Sequence, residues 1–119
     1  MKSINVEKIN AEVVKFIEER DWDQFHSIKN LAMALSVESS ELVEIFQWLK
    51  EAESNDVARD PKLKLKVEEE LADIFIYLMR IAIKSEVNLE EAILRKIQKN
   101  AQKYPVEKSR GSVKKYTEL

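Results

Sequence analysis

The stretch EELADIFIYL, residues 69–78, combines a helical apolar period with acidic side chains on the apolar face. Each helical residue turns the chain by roughly 100°. Apolar side chains that fall in the same arc as Glu70 are Leu63, Val67, Ile74, Tyr77 and Ile81. Glu70 therefore lies inside an apolar stripe, and Asp73 flanks it one turn later. The pattern predicts a long helix that directs two carboxylates toward the protein interior.

An earlier stretch, VESSELVEIFQWL at residues 37–49, shows the same feature. The apolar side chains within roughly 60° of Glu38 on a helix are Leu31, Ala34, Leu35, Leu42, Ile45 and Leu49. Glu41 lies at the edge of this stripe, three residues further along. Two helices are thus each expected to direct an acid pair into the presumed core.

Four inward carboxylates must be neutralised, paired or bound to a metal, because an unpaired buried carboxylate costs several kcal/mol. Basic partners are scarce on these faces, apart from Lys66 and Lys84 at the edge of the second stripe. Convergent carboxylates without histidine favour a hard cation with oxygen ligands, and we predict Mg²⁺ with Mn²⁺ as a substitute. A di-iron bundle needs Glu-x-x-His pairs on two helices, whereas the single histidine, His26, lies in a loop.

The composition predicts an all-α protein in one domain, residues 1–119. Glycine occurs once and proline twice, although turns between strands usually need them. The absence of cysteine excludes thiol catalysis and zinc thiolate sites and fits a cytoplasmic protein. With 20 basic and 22 acidic residues, the net charge of −2 favours neither nucleic acid nor a membrane surface as a partner. The N-terminal sequence lacks the apolar run of a signal peptide.

Four helices with short connections predict an antiparallel four-helix bundle. Their approximate bounds are 5–20, 27–52, 61–85 and 88–104. Ser27, Asp60 and Asn88 are the expected N-caps, and Pro61 follows Asp60 at the first helical position. Residues 21–26 are predicted to form a connecting loop, and residues 106–119 a basic, partly irregular tail.

The spacing of the acids resembles the signature of the MazG-like all-α nucleotide pyrophosphohydrolases. Glu38-x-x-Glu41 is followed after 28 residues by Glu70-x-x-Asp73. Four further stretches are similar to the dCTP pyrophosphatase branch of that family: RDWDQFH at 20–26, ELVEIFQW at 41–48, EELADIFIYL at 69–78 and KKYTEL at 114–119. Val37 and Ser39-Ser40 depart from the pattern of many relatives, which leaves the base preference open.

The resemblance implies a homodimer or a dimer of dimers with sites at the subunit contacts. It implies Mg²⁺-dependent attack of water at the α-phosphate of a nucleoside triphosphate, such as dCTP or a related dNTP. The products would be the monophosphate and pyrophosphate, in house-cleaning or in dNTP pool control. The metal ligands carried over are Glu38, Glu41, Glu70 and Asp73, with Glu41 or Glu38 as the general base. The nucleotide pocket carried over consists of Trp22, His26, Trp48, Tyr77, Lys96 and Asn100, with Lys84 near the phosphates.

Other interpretations stay open on the residues alone. The chain could be a non-catalytic helical module that homodimerises, with the acids in interhelical salt bridges. Within the superfamily, damaged nucleotides, dUTP or phosphoribosyl-ATP are alternative substrates. Trp48 and Tyr77 could simply be core residues, because aromatic side chains on helices usually pack there.

Overall fold

A computed structural model describes all residues from 1 to 119 and contains helices without strands, so the all-α prediction is confirmed. The α-helices are α1 Val6–Glu19, α2 Ile28–Phe46, α3 Glu51–Ser54, α4 Pro61–Lys84, α5 Leu89–Lys103 and α6 Val106–Ser109. Three 3-10 turns lie at Asp23–Phe25, Val57–Arg59 and Tyr116–Glu118. No helix is both long and apolar enough to cross a bilayer.

The chain divides into two compact units, Met1–Ser85 and Glu86–Leu119. In the first unit, α2 packs along α4, and α1 also contacts α4. The second unit consists of α5, α6 and the last 3-10 turn, where the rings of Tyr104 and Tyr116 meet edge to face. The four-helix bundle and the single domain therefore stay predictions, while the four long helices that they require are present.

The predicted caps begin the helices. Ser27 Oγ accepts a hydrogen bond from the Asn30 amide at 3.1 Å, and Asp60 Oδ1 accepts one from the Leu63 amide at 3.2 Å. At α5, Asn88 Oδ1 accepts from the Glu91 amide at 3.1 Å. Each side chain satisfies an amide that the first helical turn leaves without a partner.

The predicted end of the second helix near Ala52 is wrong, because α2 ends at Phe46. The backbone of Lys50 is extended, and its amide donates a hydrogen bond to the Glu53 carboxylate at 3.0 Å. This bond starts the separate short helix α3, so that the chain turns between α2 and α4. The basic tail is more ordered than predicted, because it contains α6 and a 3-10 turn.

The fully buried side chains of the first unit come from its three long helices. Ile17 of α1, Leu31 of α2 and Met79 of α4 are the buried apolar residues, and Arg80 is the buried charged residue. All other side chains of the acid-bearing stripes are half-buried or exposed. The acid pairs are consequently held on the margin of a small core, within reach of solvent.

Candidate active site

Three of the four predicted metal ligands converge between α2 and α4. One carboxylate oxygen from each of Glu38, Glu41 and Glu70 lies within 4.8 Å of the other two. The three side chains are half-buried. Glu38 and Glu41 are three residues apart on α2 and so point from the same side of that helix toward Glu70 on α4. We call these three residues the acid cluster.

The acid cluster has no cationic partner. None of its carboxylates forms an ion pair with lysine or arginine, and buried oxygens of Glu38 and Glu70 accept no hydrogen bond. Such crowding of like charge, partly shielded from water, is unfavourable unless protons or a cation neutralise it. A set of converging carboxylate oxygens with free lone pairs fits a hard divalent cation such as Mg²⁺.

The surroundings change the acidity of this cluster. Burial, hydrogen bonding with Glu70 and Glu41, and the charges of Glu41 and Asp73 raise the pKa of Glu38 from 4.5 to about 7. At Glu70 the hydrogen bond with Glu38 lowers the pKa, but burial and the neighbouring acids together raise it above its ordinary value. Glu38 therefore keeps its proton to a higher pH than an ordinary glutamate does.

Asp73, the fourth predicted ligand, lies one turn beyond Glu70 and is exposed. It is outside the acid cluster, although its charge contributes to the raised pKa of both Glu38 and Glu70. Its carboxylate borders a neighbouring cavity of about 600 Å³. Asp73 therefore connects the acid cluster with this cavity.

The larger cavity collects three of the residues predicted to bind the nucleotide. Trp22, His26 and Tyr77 line it together with Asp73. The Nδ1 atom of His26 is itself buried in the protein and has no hydrogen-bond partner. Burial and the charges of Glu38 and Asp73 raise the pKa of Tyr77 above its ordinary 10.0, so its hydroxyl stays protonated and can donate a hydrogen bond.

Phe16, which was not predicted as a site residue, forms an aromatic pair with Trp22 beside the same cavity. The rings of Phe16 and Trp22 meet edge to face with their centroids 5.7 Å apart, and both remain about half exposed. The Arg20 guanidinium carbon lies 3.7 Å from the centroid of the Phe16 ring. Exposed aromatic faces and a cation beside a cavity suit a planar, anionic ligand.

The other predicted pocket residues are placed differently. Lys84 Nζ donates a hydrogen bond to the His26 carbonyl and lies 3.2 Å from Asp23 Oδ1. Trp48 follows the end of α2 and is 88% exposed, which disagrees with a core role. Lys96 and Asn100 are exposed on α5, in the second compact unit, and their assignment to the pocket stays a prediction.

A second cavity of about 390 Å³ lies beside the acid cluster. Glu41 and Glu70 line it with Lys66 and two further acids, Glu44 and Glu69. Glu70 thus faces this smaller cavity, and Asp73, three residues along the same helix, faces the larger one. The acidic face of α4 is accessible from both.

The chain is an all-α protein in which acids converge from two packed helices. It belongs to the MazG-like family, whose family model matches residues 33–119. It is 44% identical to dCTP pyrophosphatase 1 of Rattus norvegicus and 40% identical to the same protein of Homo sapiens, over 115 residues in each case. These matches cover 97% of this chain and 66% of each relative. A pyrophosphatase from Archaeoglobus fulgidus has a similar structure, with a TM-score of 0.74 and 38% identity. That match covers 88% of this chain and 96% of the other.

Proposed function

We propose that this chain is a divalent-metal-dependent nucleotide pyrophosphohydrolase that converts a deoxynucleoside triphosphate, dCTP or a close relative, to the monophosphate and pyrophosphate. The observation that carries the proposal is the acid cluster, whose three carboxylates meet without a cationic partner. Family membership and relatives named dCTP pyrophosphatase 1 support both the reaction and the substrate class.

Glu38, Glu41 and Glu70 would hold the ion, and Asp73 would complete the ligand set from the edge of the larger cavity. When bound, a divalent cation neutralises phosphate charge and lowers the pKa of water. Mg²⁺ fits oxygen-only ligands best, and Mn²⁺ accepts the same set. Either ion also removes the mutual repulsion of the carboxylates.

The protein's own groups would orient the substrate and move one proton. Water adds to the α-phosphorus as the bond to the bridging oxygen breaks, and pyrophosphate leaves. Glu41 or Glu38 accepts the proton of that water, since both carboxylates lie in the cluster. Lys84 is the lysine proposed to balance charge on the phosphates.

The larger cavity would receive the nucleoside. Its volume of about 600 Å³ and its partly exposed aromatic rings suit a base and a sugar. Trp22 would stack on the base, and His26 would border the nucleoside from the same cavity. Tyr77 would pack under the sugar and disfavour a 2′-hydroxyl. Trp48 completes the part of the pocket that we propose for the first compact unit.

We also infer that the working form is a homodimer or a dimer of dimers, with sites at the subunit contacts. Val43 of α2 is 63% exposed, and Leu65 and Leu71 of α4 are exposed by 55% and 50%. Scattered apolar residues are ordinary on surfaces, but many on the two helices that carry the acids favour a covered face.

The reaction is tested by incubating the protein with Mg²⁺ and each common dNTP and NTP in H₂¹⁸O. We expect the label in the monophosphate, because the attack is on the α-phosphorus, and unlabelled pyrophosphate as the other product. Label in pyrophosphate, or release of orthophosphate alone, would contradict the proposed bond. Preference for dCTP over CTP tests the sugar contact of Tyr77.

Two variants test the ligands. Glu38→Gln and Asp73→Asn should each lower kcat by about 100-fold or more, because charge stabilisation is lost in the transition state. Helicity measured by circular dichroism should be unchanged. Glu68→Gln, an exposed acid on α4 that lines neither cavity, is the matched control. Near-normal turnover of either ligand variant would refute the ligand assignment.

A further inference from the structure

Arg80 is a buried charge in the apolar part of α4, and its contacts lie far along the chain. Its side chain is 9% exposed. The Nη1 atom donates a hydrogen bond to Asn10 Oδ1 of α1 at 3.2 Å, and Nη2 lies 3.9 Å from Asp23 Oδ1. A buried guanidinium is tolerated only where fixed partners compensate for its lost hydration. Arg80 therefore connects α4 with α1 and with the segment that follows α1.

Lys84, one helical turn beyond Arg80, approaches the same segment. Its Nζ atom lies 3.2 Å from Asp23 Oδ1 and donates a hydrogen bond to the His26 carbonyl. Two cations of α4 thus converge on one carboxylate oxygen. We call Asp23, Arg80 and Lys84 the Asp23 clasp.

The clasp holds residues 21–26, the segment that carries Trp22 and His26 to the larger cavity. The remaining hydrogen bonds of this segment are mostly short-range. The Trp22 amide donates to the Ile17 carbonyl at 3.1 Å, and Gln24 Nε2 donates to the Asp21 carbonyl at 3.0 Å. Such bonds shape the segment, but they do not join it to α4.

The same helix carries the acid side of the cavity. Tyr77 precedes Arg80 by three residues, and Asp73 by seven, and both line the same cavity as Trp22 and His26. Because Arg80 and Lys84 of α4 both contact Asp23, they determine the distance in the cavity between Trp22 and the acidic side chain of Asp73. Geometry of this kind controls how well a bound substrate is oriented.

We propose that Asp23, Arg80 and Lys84 are positioning residues that hold Trp22 and His26 at the correct distance from α4 and so set the affinity for the nucleotide. The proposal rests on the function proposed above. Asp23 and Arg80 act through the segment 21–26, and Lys84, which is also proposed to lie near the phosphates, acts on this segment through its contacts with Asp23 and His26.

The first test is Asp23→Asn, because Asp23 is 65% exposed and the amide keeps the oxygen that Arg80 and Lys84 approach while it removes the charge. We expect KM for the nucleotide to rise about threefold to tenfold, kcat to stay within about twofold, and the Mg²⁺ dependence to be unchanged. Asp56→Asn is the matched control, since it breaks a 3.1 Å pair with Arg59 at a similarly exposed carboxylate. The control should leave KM unchanged.

The second test does not need activity. Amide hydrogen exchange of residues 22–26 should be faster in Asp23→Asn and in Lys84→Met, and unchanged in Asp56→Asn. Lys84→Arg keeps the charge and donors and should restore both slow exchange and the wild-type KM.

The outcomes separate the two proposals. Unchanged exchange in Asp23→Asn overturns the clasp, and so does faster exchange with an unaltered KM. A wild-type protein without turnover would instead overturn the proposed function. In that case exchange would still decide whether the clasp orders the segment.

Discussion

Glu38 combines three properties that bear on function: it lies in the apolar stripe of α2, it meets Glu41 and Glu70, and one of its oxygens has no partner. Its helical position predicted the inward direction. The raised pKa depends on distances to Glu70 and Glu41 across two helices and along one. A side chain of this kind makes the stability of the metal-free protein depend on pH.

Without divalent ions, Glu38→Gln should become more stable relative to the wild type as pH rises. The folded-state pKa of Glu38 is about 7 against 4.5 in the unfolded chain. Between these values the folded state keeps a proton that the unfolded state releases, so this group's stabilising contribution falls as pH rises. Urea unfolding in a chelator, from about pH 5 to about pH 8, should show a relative gain on the order of 1 kcal/mol for the variant.

At saturating Mg²⁺, the wild type should instead be more stable than Glu38→Gln. A ligand held by the folded state adds about 2.7 kcal/mol when its concentration is about 100 times Kd. The wild type should gain this stability, and Glu38→Gln should gain much less. Glu68→Gln should behave as the wild type does in both conditions. A variant stabilised by Mg²⁺ as strongly as the wild type would show that the ion binds elsewhere.

The contacts of Arg80 and the position of Asp73 could not be predicted from the sequence around them. Arg80 visibly interrupts an apolar helical stretch, but its partner Asn10 is 70 residues away, so the sequence did not indicate what it contacts. Asp73 was expected to converge with the other acids, and the structure has it at the cavity edge. One helical turn separates it from Glu70, and its place depends on how α4 packs against its neighbours.

The helices themselves follow local rules closely. Ser27, Asp60 and Asn88 were predicted as caps and accept the expected amide hydrogen bonds. The end of α2 was predicted six residues too late, because residues 47–52 have helix-compatible side chains. The break depends on the Glu53 carboxylate taking the Lys50 amide, a competition that propensity does not reveal.

Asp60 is the N-cap of α4, the helix that carries Glu70 and Asp73, and its contribution to stability can be measured. Asp60→Ala removes the acceptor of the Leu63 amide and should lower the free energy of unfolding by about 1 kcal/mol. Urea unfolding monitored by circular dichroism measures it. Asp56→Ala removes a nearby exposed acid whose side chain makes no capping hydrogen bond and should have a smaller effect. Equal losses in both variants would exclude a capping role.

Considered as a whole, the chain buries few apolar side chains. Ile17, Leu31 and Met79 are the fully buried ones, while Val43 and Leu71 are at least half exposed. A core of this size is a weak source of stability for 119 residues. Association of copies of the chain would supply the missing burial.

Val43→Glu should therefore shift the protein toward monomers. An unpaired carboxylate in a covered apolar face costs several kcal/mol, so the dissociation constant should rise by about 100-fold or more. Sedimentation velocity measures the shift, and turnover should fall with it if the sites lie at subunit contacts. Gln102→Glu adds the same charge at an exposed polar position of α5 and serves as control. A wild type that sediments as a monomer would refute the oligomer.

Helix positions, their caps and the faces that carry the acids were all available from local spacing, because a helix repeats every few residues whatever surrounds it. The resemblance to the MazG-like family added the residues of the pocket. Distances between helices were not available in that way, since they result from packing among residues far apart in the chain. Those distances bring three acids together, leave Asp73 at the cavity edge and direct Arg80 and Lys84 to Asp23.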